Sequence, residues 1–161
     1  MYQPDQLDWK IIALLNQDGR MSSAEIARRL KDVTARTVTN RIEVLTEHEI
    51  IHVRSIVNPE NVGYGVLADV FVEVEPDKVH AVAKALAVYP QISYVACSMG
   101  DADIIISIRA RSITELFDFV LEVVSQIPGV QHTETYPLPL KIKTLTTWIP
   151  PNIFDEKQEL K

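Results

Sequence analysis

The chain has 161 residues, 47% hydrophobic and 24% charged, with a net charge of −6. That is enough for one ordinary domain or two small ones, and the balance excludes a disordered or fibrous chain. No apolar run approaches the roughly 20 residues that span a bilayer. The N-terminus MYQPDQLDWK lacks the basic-then-apolar layout of a secretory signal. The one cysteine, Cys97, has no internal partner and reads as a buried small residue rather than a nucleophile. These features point to the cytoplasm and to no membrane partner.

A first helix is expected to start at Pro4 or Asp5. Leu7, Ile11, Leu14 and Leu15 form its buried stripe, with Trp9 at an edge. Gln17-Asp18-Gly19 ends it, Gly19 being suited to a left-handed closing position. Ser22 and Glu25 fit a capping box, so a second helix starts near Ser23 and buries Ile26, Ala27 and Leu30. Lys31-Asp32-Val33 breaks the pattern and Thr34 can cap a third helix. There Ala35, Val38, Ile42 and Leu45 make an apolar stripe, and Arg36, Thr37, Asn40 and Arg41 lie off it.

A helix with its back in a core and Arg, Thr and Asn on its front suits a DNA major groove. Between Arg20 and Ile42 stand six bases and two acids, a local +4 in an acidic chain. A cationic patch of this kind implies a polyanion docking at one place. Arg36 suits a guanine edge and Asn40 an adenine. Thr34, Thr37 and Thr39 suit a phosphate or a thymine methyl. Arg28, Arg29, Arg41 and Arg54 are assigned to phosphates, which position the protein without reading sequence. A solvated helical hairpin of an all-α domain would carry the same residues.

Ile50 to Val57 is rich in β-branched residues and is expected to be a strand, which after three helices would make a wing. Asn58-Pro59-Glu60 and Gly63-Tyr64-Gly65 are turn signals. The expected organisation is a winged helix-turn-helix over 1–57, a linker over 58–65, a second domain over 66–147 and a tail over 148–161.

In the second domain Val66 to Glu75 alternates, with Ala68, Val70, Val72 and Val74 on one side and Leu67, Asp69, Phe71, Glu73 and Glu75 on the other. A helix follows with Val79, Val82, Ala83 and Leu86. Ile92–Met99 and Ile104–Ala110 are strands joined by Gly100-Asp101-Ala102-Asp103. Ser112 and Glu115 form another capping box, ahead of a helix with Leu116, Phe117, Val120, Leu121 and Val124. Val130–Thr147 is a long last strand, bent at Pro137 and Pro139. The fold class is therefore α+β, and the order βαββαβ is ferredoxin-like. Both helices lie on one face of such a sheet. Ile104, Ile105 and Ile106 are consecutive, so the other face is partly apolar too. Exposed apolar area of this kind marks a partner surface, here a homodimer; a helix- or loop-covered sheet is the alternative.

The hairpin at Met99–Asp103 is the candidate ligand site. Gly100 lets backbone amides approach a carboxylate closely, and Asp101 or Asp103 can hold an ammonium. Gly-Asp-x-Asp is also a good turn with no ligand. His48, His52, His80 and His132 are scattered without metal-ligand spacing. No phosphate loop, nucleophile elbow or Cys-x-x-Cys is present, so no metal, cofactor or enzymatic role is expected.

Over nearly its whole length the chain resembles the Lrp/AsnC (leucine-responsive, "feast/famine") transcriptional regulators. The matching segments are Leu7–Arg20, Ser22–Leu30, Thr37–Leu45, Gly100–Asp103 and Val130–Thr135. The resemblance implies a DNA-binding regulator that responds to a small-molecule effector, usually an amino acid. It also implies dimers that assemble further, often to octamers. By position it places the effector at Met99, Gly100, Asp101, Asp103, Thr133, Thr135 and Tyr136. Asp32 and Glu49 stand where the family tends to have glycine, and Glu43 and Val44 replace late basic residues of the third helix. A ligand sensor of the same fold with little DNA binding is therefore an alternative. Siroheme decarboxylases also resemble this family. Such an enzyme would need a basic tetrapyrrole pocket, for which the second domain offers only Arg109, Arg111, Lys141 and Lys143.

Overall fold

Three helices, α1 (Gln6–Gln17), α2 (Ser23–Leu30) and α3 (Ala35–Glu47), build the first unit of the computed structural model, which describes residues 2–143. Asp5 caps α1 in a full capping box. Its Oδ1 accepts from Asp8 N at 3.0 Å, and Asp8 Oδ2 accepts from Asp5 N at 2.9 Å. Ser22 and Thr34 cap α2 and α3 by accepting from Glu25 N at 3.2 Å and Thr37 N at 3.1 Å. Ile11, Met21, Ile26, Ala27 and Val38 form the core, with Leu7, Leu14, Leu15, Leu30, Val33 and Ile42 packed against it. Leu45 is also fully buried. Each fully buried aliphatic side chain of this kind is worth ~1.5–3 kcal/mol.

Local expectations fail at three points here. Gly19 is not left-handed; α1 closes at Asp18 in extended backbone, φ −146°. Between α2 and α3 a positive φ falls on Lys31 (68°), the residue closing α2. Ala35 is exposed, because the first turn of α3 projects beyond the core. Residues 51–58 form no strand. The unit has no other strand among the described residues, so this segment's amides have no ladder to join. Val53 and Ile56 in it are exposed.

The chain divides after Ile56, and the second unit spans Val57–Ile142. It contains β1 (Val66–Val74), α4 (Val79–Leu86), β2 (Ile92–Cys97), β3 (Ile104–Ala110), α5 (Ile113–Glu122) and β4 (Val130–Pro137). All pairings are antiparallel and the sheet order is β2-β3-β1-β4, the ferredoxin-like arrangement. Ala68, Val70, Val72 and Val74 of β1, and Ile104, Ile106 and Ile108 of β3, are buried against Val82 and Leu86 of α4 and Leu116 and Phe119 of α5. The period-two alternation of β1 and β3 therefore sends one set of side chains under the helices. The other set, Leu67, Asp69, Phe71, Ile105, Ser107 and Arg109, is half-buried on the open face.

The last strand stops at Pro137, because Pro137 and Pro139 have no N–H for the ladder. Leu138 N makes a last bond to Leu67 O at 2.8 Å. Residues 144–147 of the expected strand, and the expected tail over 148–161, lie outside the described residues. Cys97 ends edge strand β2 and is exposed, not buried. Phe117 and Leu121, expected in the core, are exposed on α5.

Candidate DNA-binding and effector sites

The outward surface of α3 follows from its caps and core. Thr34 and Thr37 are bonded to each other, Oγ1 to Oγ1 at 2.9 Å, and Thr34 holds the first turn. Thr39 Oγ1 lies 2.9 Å from Ser23 Oγ and 3.1 Å from the Ala35 carbonyl, which ties α3 to α2. Thr34 and Thr39 thus have structural partners already. Arg36 and Asn40, one turn apart, are exposed, and among the described residues Arg36 has no ion-pair partner. Helical spacing continues their face through Glu43 and Glu47. Arg29 Nη2 is 2.7 Å from Glu25 Oε1 and Arg28 Nη2 is 3.9 Å from it, both exposed. Arg54 is exposed in the irregular segment.

Arg41 is turned inward. Its Nη1 lies 2.8 Å from Asp5 Oδ2, 3.3 Å from Asp8 Oδ2 and 3.1 Å from Tyr2 Oη. Asp8 is fully buried and also accepts from Tyr2 Oη at 2.7 Å. The hydrogen bond to Tyr2, with Asp8 and Asp5 nearby, raises the Arg41 pKa above its ordinary value. The bond from Asp8 N, helped by Arg41, holds Asp5 low. The bond to the Asp8 carboxylate raises the Tyr2 phenol. This cluster was missed in the sequence. Its signal was Asp8 standing at helical spacing from Ile12 and Leu15, an acid on an apolar stripe that requires a partner.

In the second unit a cavity of about 620 Å³ opens on the bare sheet face at the β2–β3 hairpin. Of the expected residues, Gly100, Asp101 and Tyr136 line it; Asp69, Phe71, Glu73, Ser98, Ala102, Glu134 and Leu138 complete it. The other four expected residues point elsewhere. Met99 is fully exposed at the turn. Asp103 fastens the hairpin: its Oδ2 accepts from Val74 N at 2.8 Å and its N–H donates to Val72 O at 3.1 Å. Thr133 and Thr135 pair with Val72 and Val70, so alternation puts them on the helix-covered side of β4. Thr133 Oγ1 is 3.5 Å from Ser125 Oγ there. The rings of Phe71 and Tyr136 meet edge to face, centroids 5.4 Å apart. Tyr136 Oη donates to Glu134 Oε2 at 2.7 Å, which raises the phenol's pKa. Ser107 Oγ donates to Asp69 Oδ1 at 2.6 Å. Asp69, Phe71 and Glu73 were grouped on one face by the alternation of β1, but nothing in the sequence showed which face of β4 would meet them.

Two family models match the chain: the AsnC-type helix-turn-helix domain over residues 5–46, and the Lrp/AsnC ligand binding domain over residues 67–145. The chain belongs to the Lrp/AsnC family. The HTH-type transcriptional regulator FL11 of Pyrococcus furiosus is 36% identical over 147 residues, covering 91% of this chain and 95% of that protein. FL11 of Pyrococcus horikoshii is 37% identical over the same coverage. Among solved structures, E. coli AsnC superposes with a TM-score of 0.82 at 24% identity, covering 90% of this chain and 99% of that one. A transcriptional regulator of Neisseria meningitidis in complex with L-Met gives 0.85 at 22% identity, covering 93% and 98%.

This Lrp/AsnC chain is thus a helix-turn-helix transcriptional regulator with an effector domain, and the family is one of regulators rather than enzymes. No helix among the described residues is long and apolar enough to cross a membrane. Three of the four basic residues weighed for a tetrapyrrole pocket do not gather at the cavity. Arg111 lies over the Tyr64 ring, 5.0 Å from its centroid, Lys141 pairs with Glu60, and neither they nor Arg109 line the cavity.

Proposed function

We propose that this regulator reads double-stranded DNA in the cytoplasm through α3. In this reading Arg36 and Asn40 contact base edges, Thr37 stands beside them, and Arg28, Arg29 and Arg54 contact phosphates. The observation that carries it is the exposed Arg36–Asn40 face on a helix whose back is locked into a core. Arg41 is left out, being committed to Asp5 and Asp8. Thr34 and Thr39 act indirectly, by holding α3 in place.

The functional form in this reading is a homodimer, able to assemble further. Each base contact is worth about 1–3 kcal/mol, so one short helix gains little over non-specific binding. A two-fold pair doubles the contacts on paired half-sites. The half-buried Leu67 and Ile105 on the open sheet face, outside the cavity lining, supply apolar area for pairing. An amino acid in the cavity lined by Gly100, Asp101 and Tyr136 modulates DNA binding; the L-Met complex of the Neisseria relative supports that class of ligand.

A gel shift on DNA upstream of the regulator's own gene, at two salt concentrations, tests this. Retention is expected at low salt, weakening as salt rises, and surviving competition by unrelated DNA. Absence of any retained complex at low salt overturns it. It would favour the second reading, a metabolite sensor with little DNA binding, which the acidic Glu43 and Glu47 on the α3 face support.

A further inference from the structure

The helix layer of the second unit carries an apolar row that its own fold leaves uncovered. Ile113, Phe117 and Leu121 stand four residues apart on α5, so they form one line along the helix. Each is more than half exposed. The inward side of the same helix is Leu116 and Phe119, both buried in the core. Single exposed apolar residues are ordinary, but a contiguous row marks a place where another molecule docks. This row lies on the opposite side of the sheet from the open face and its cavity.

The charge beside the row says what kind of molecule fits. The next line around the helix is Thr114, Asp118 and Glu122, all exposed. Asp118 and Glu122, with Glu115, border a groove of about 460 Å³. Glu115 accepts from the Arg111 amide at 2.8 Å, a donor without charge, while the Arg111 guanidinium is turned to Tyr64. Within α5 there is no lysine, arginine or histidine. Among the described residues neither Asp118 nor Glu122 has an ion-pair partner.

An apolar ridge beside uncompensated carboxylates repels DNA phosphates and anionic lipid headgroups alike. A second copy would bring the same acids to the contact, where like charges oppose docking. Three side chains also fall short of the roughly 800 Å² per partner that a stable pairing of folded chains buries. The complement is a short segment with apolar side chains on one face and lysine or arginine next to them. A helix laid against a groove presents that pattern.

We propose that the outer face of α5 docks a basic amphipathic helix of another protein. The partner's apolar side chains lie along Ile113, Phe117 and Leu121, and its cations reach Asp118 and Glu122. The site is separate from the DNA-reading and effector sites and stands whether or not either of those readings holds. It gives the regulator a face on which to hold a second protein while α3 is on DNA.

The test is calorimetry of the full chain with two probe peptides of about 18 residues, roughly five helical turns. One is built of leucine and lysine, the other of leucine and glutamate in the same helical pattern. The lysine peptide should bind with a micromolar Kd that weakens as salt rises, tenfold or more tightly than the glutamate peptide. Phe117→Ser should weaken it tenfold or more, about 1.4 kcal/mol. Asp118→Asn combined with Glu122→Gln should weaken it severalfold and flatten the salt dependence. These positions are exposed, so the variants should keep the unliganded melting temperature, the assembly mass in light scattering and the retention of DNA. In cells, p-benzoylphenylalanine at position 117 should crosslink to a basic amphipathic helix, identified by mass spectrometry of the joined peptides. No binding of the lysine peptide at millimolar concentration, or equal binding of the glutamate peptide, overturns the proposal. Binding that ignores the α5 substitutions places the peptide elsewhere, as on the cavity carboxylates, and overturns the assignment to this face. A smaller assembly mass for Phe117→Ser, or crosslinks to this chain alone, would mean that the row joins copies and would overturn it as well.

Discussion

Arg41 Nη1 lies 3.3 Å from Oδ2 of Asp8, a carboxylate with no exposed surface. The pair ties the middle of α3 to the first turn of α1, and Tyr2 closes over it. An isolated buried carboxylate is costly, so Asp8 depends on these donors. Arg41→Ala should therefore act on the fold. Breaking a fully buried pair costs about 3–5 kcal/mol; with Arg41 a third exposed and Asp8 keeping Tyr2 and Asp5 N, about 1–3 is expected. Thermal unfolding should report that loss. The salt dependence of DNA binding should keep its slope, whereas Arg54→Ala should flatten it by about one phosphate contact. A flatter slope with an unchanged melting temperature for Arg41→Ala would return that side chain to the DNA.

The same cluster gives the fold a pH dependence. Asp8 N and Arg41 hold the Asp5 carboxylate below its ordinary value. A carboxylate whose folded value is depressed binds fewer protons folded than unfolded. Its stabilisation is present above the unfolded value, about pH 4, and is lost as pH falls through the lower folded value. Asp5→Asn should lower the melting temperature at pH 6, and the difference should shrink progressively as the pH falls below about 4. A loss that stays constant as the pH falls would mean that Asp5 acts by its cap geometry alone.

Thr34, Ser22 and Ser112 each cap a helix as their spacing predicts, because an N-cap is a local bond between near neighbours. The alternation in β1 likewise locates the two faces of the sheet, since strand geometry has period two, and the run Ile104–Ile106 marks both faces as apolar. What stayed hidden depends on contacts distant in sequence. Arg41 meets Asp5 and Asp8 more than thirty residues away. Asp103 was grouped with Asp101 as a ligand group, yet it reaches back to Val74 N, twenty-nine residues earlier. The phase of β4 sets Tyr136 and Glu134 on the cavity side and Thr133 and Thr135 on the other, and one residue of slip would have reversed it. The expected wing failed for a related reason: β-branched residues favour a strand, but a strand requires a partner.

Glu49 follows α3 with φ 55°, a left-handed position held by a residue with a Cβ. That conformation costs roughly 1–2 kcal/mol for a non-glycine residue. Glycine removes the cost but loosens the unfolded chain, which takes back about 0.4–1 kcal/mol. Glu49→Gly should thus stabilise by about 0.5–1 kcal/mol, seen as a small rise in the denaturant midpoint at constant slope. Destabilisation would mean that the Glu49 side chain has a role outweighing its backbone strain.

The outward face of α3 begins with Arg36 and Asn40 and ends with Glu43 and Glu47, so its two halves should respond oppositely to substitution. Arg36→Ala should lower affinity for the preferred DNA by about 1–3 kcal/mol and relax discrimination at one base pair, because a bidentate contact to guanine is specific. Glu43→Lys replaces a charge repelled by phosphate with one attracted to it. It should tighten binding to preferred and unrelated DNA alike, and steepen the dependence of log K on log salt by roughly 0.9 for each phosphate gained. Titrations of both variants on matched and scrambled duplexes, across a salt series, separate the two effects. Should Arg36→Ala weaken every duplex equally, Arg36 is a phosphate contact and base reading lies elsewhere on α3. Should Glu43→Lys leave the salt slope unchanged, the second half of α3 stands away from the backbone of the DNA, and the acidic pair has no bearing on affinity.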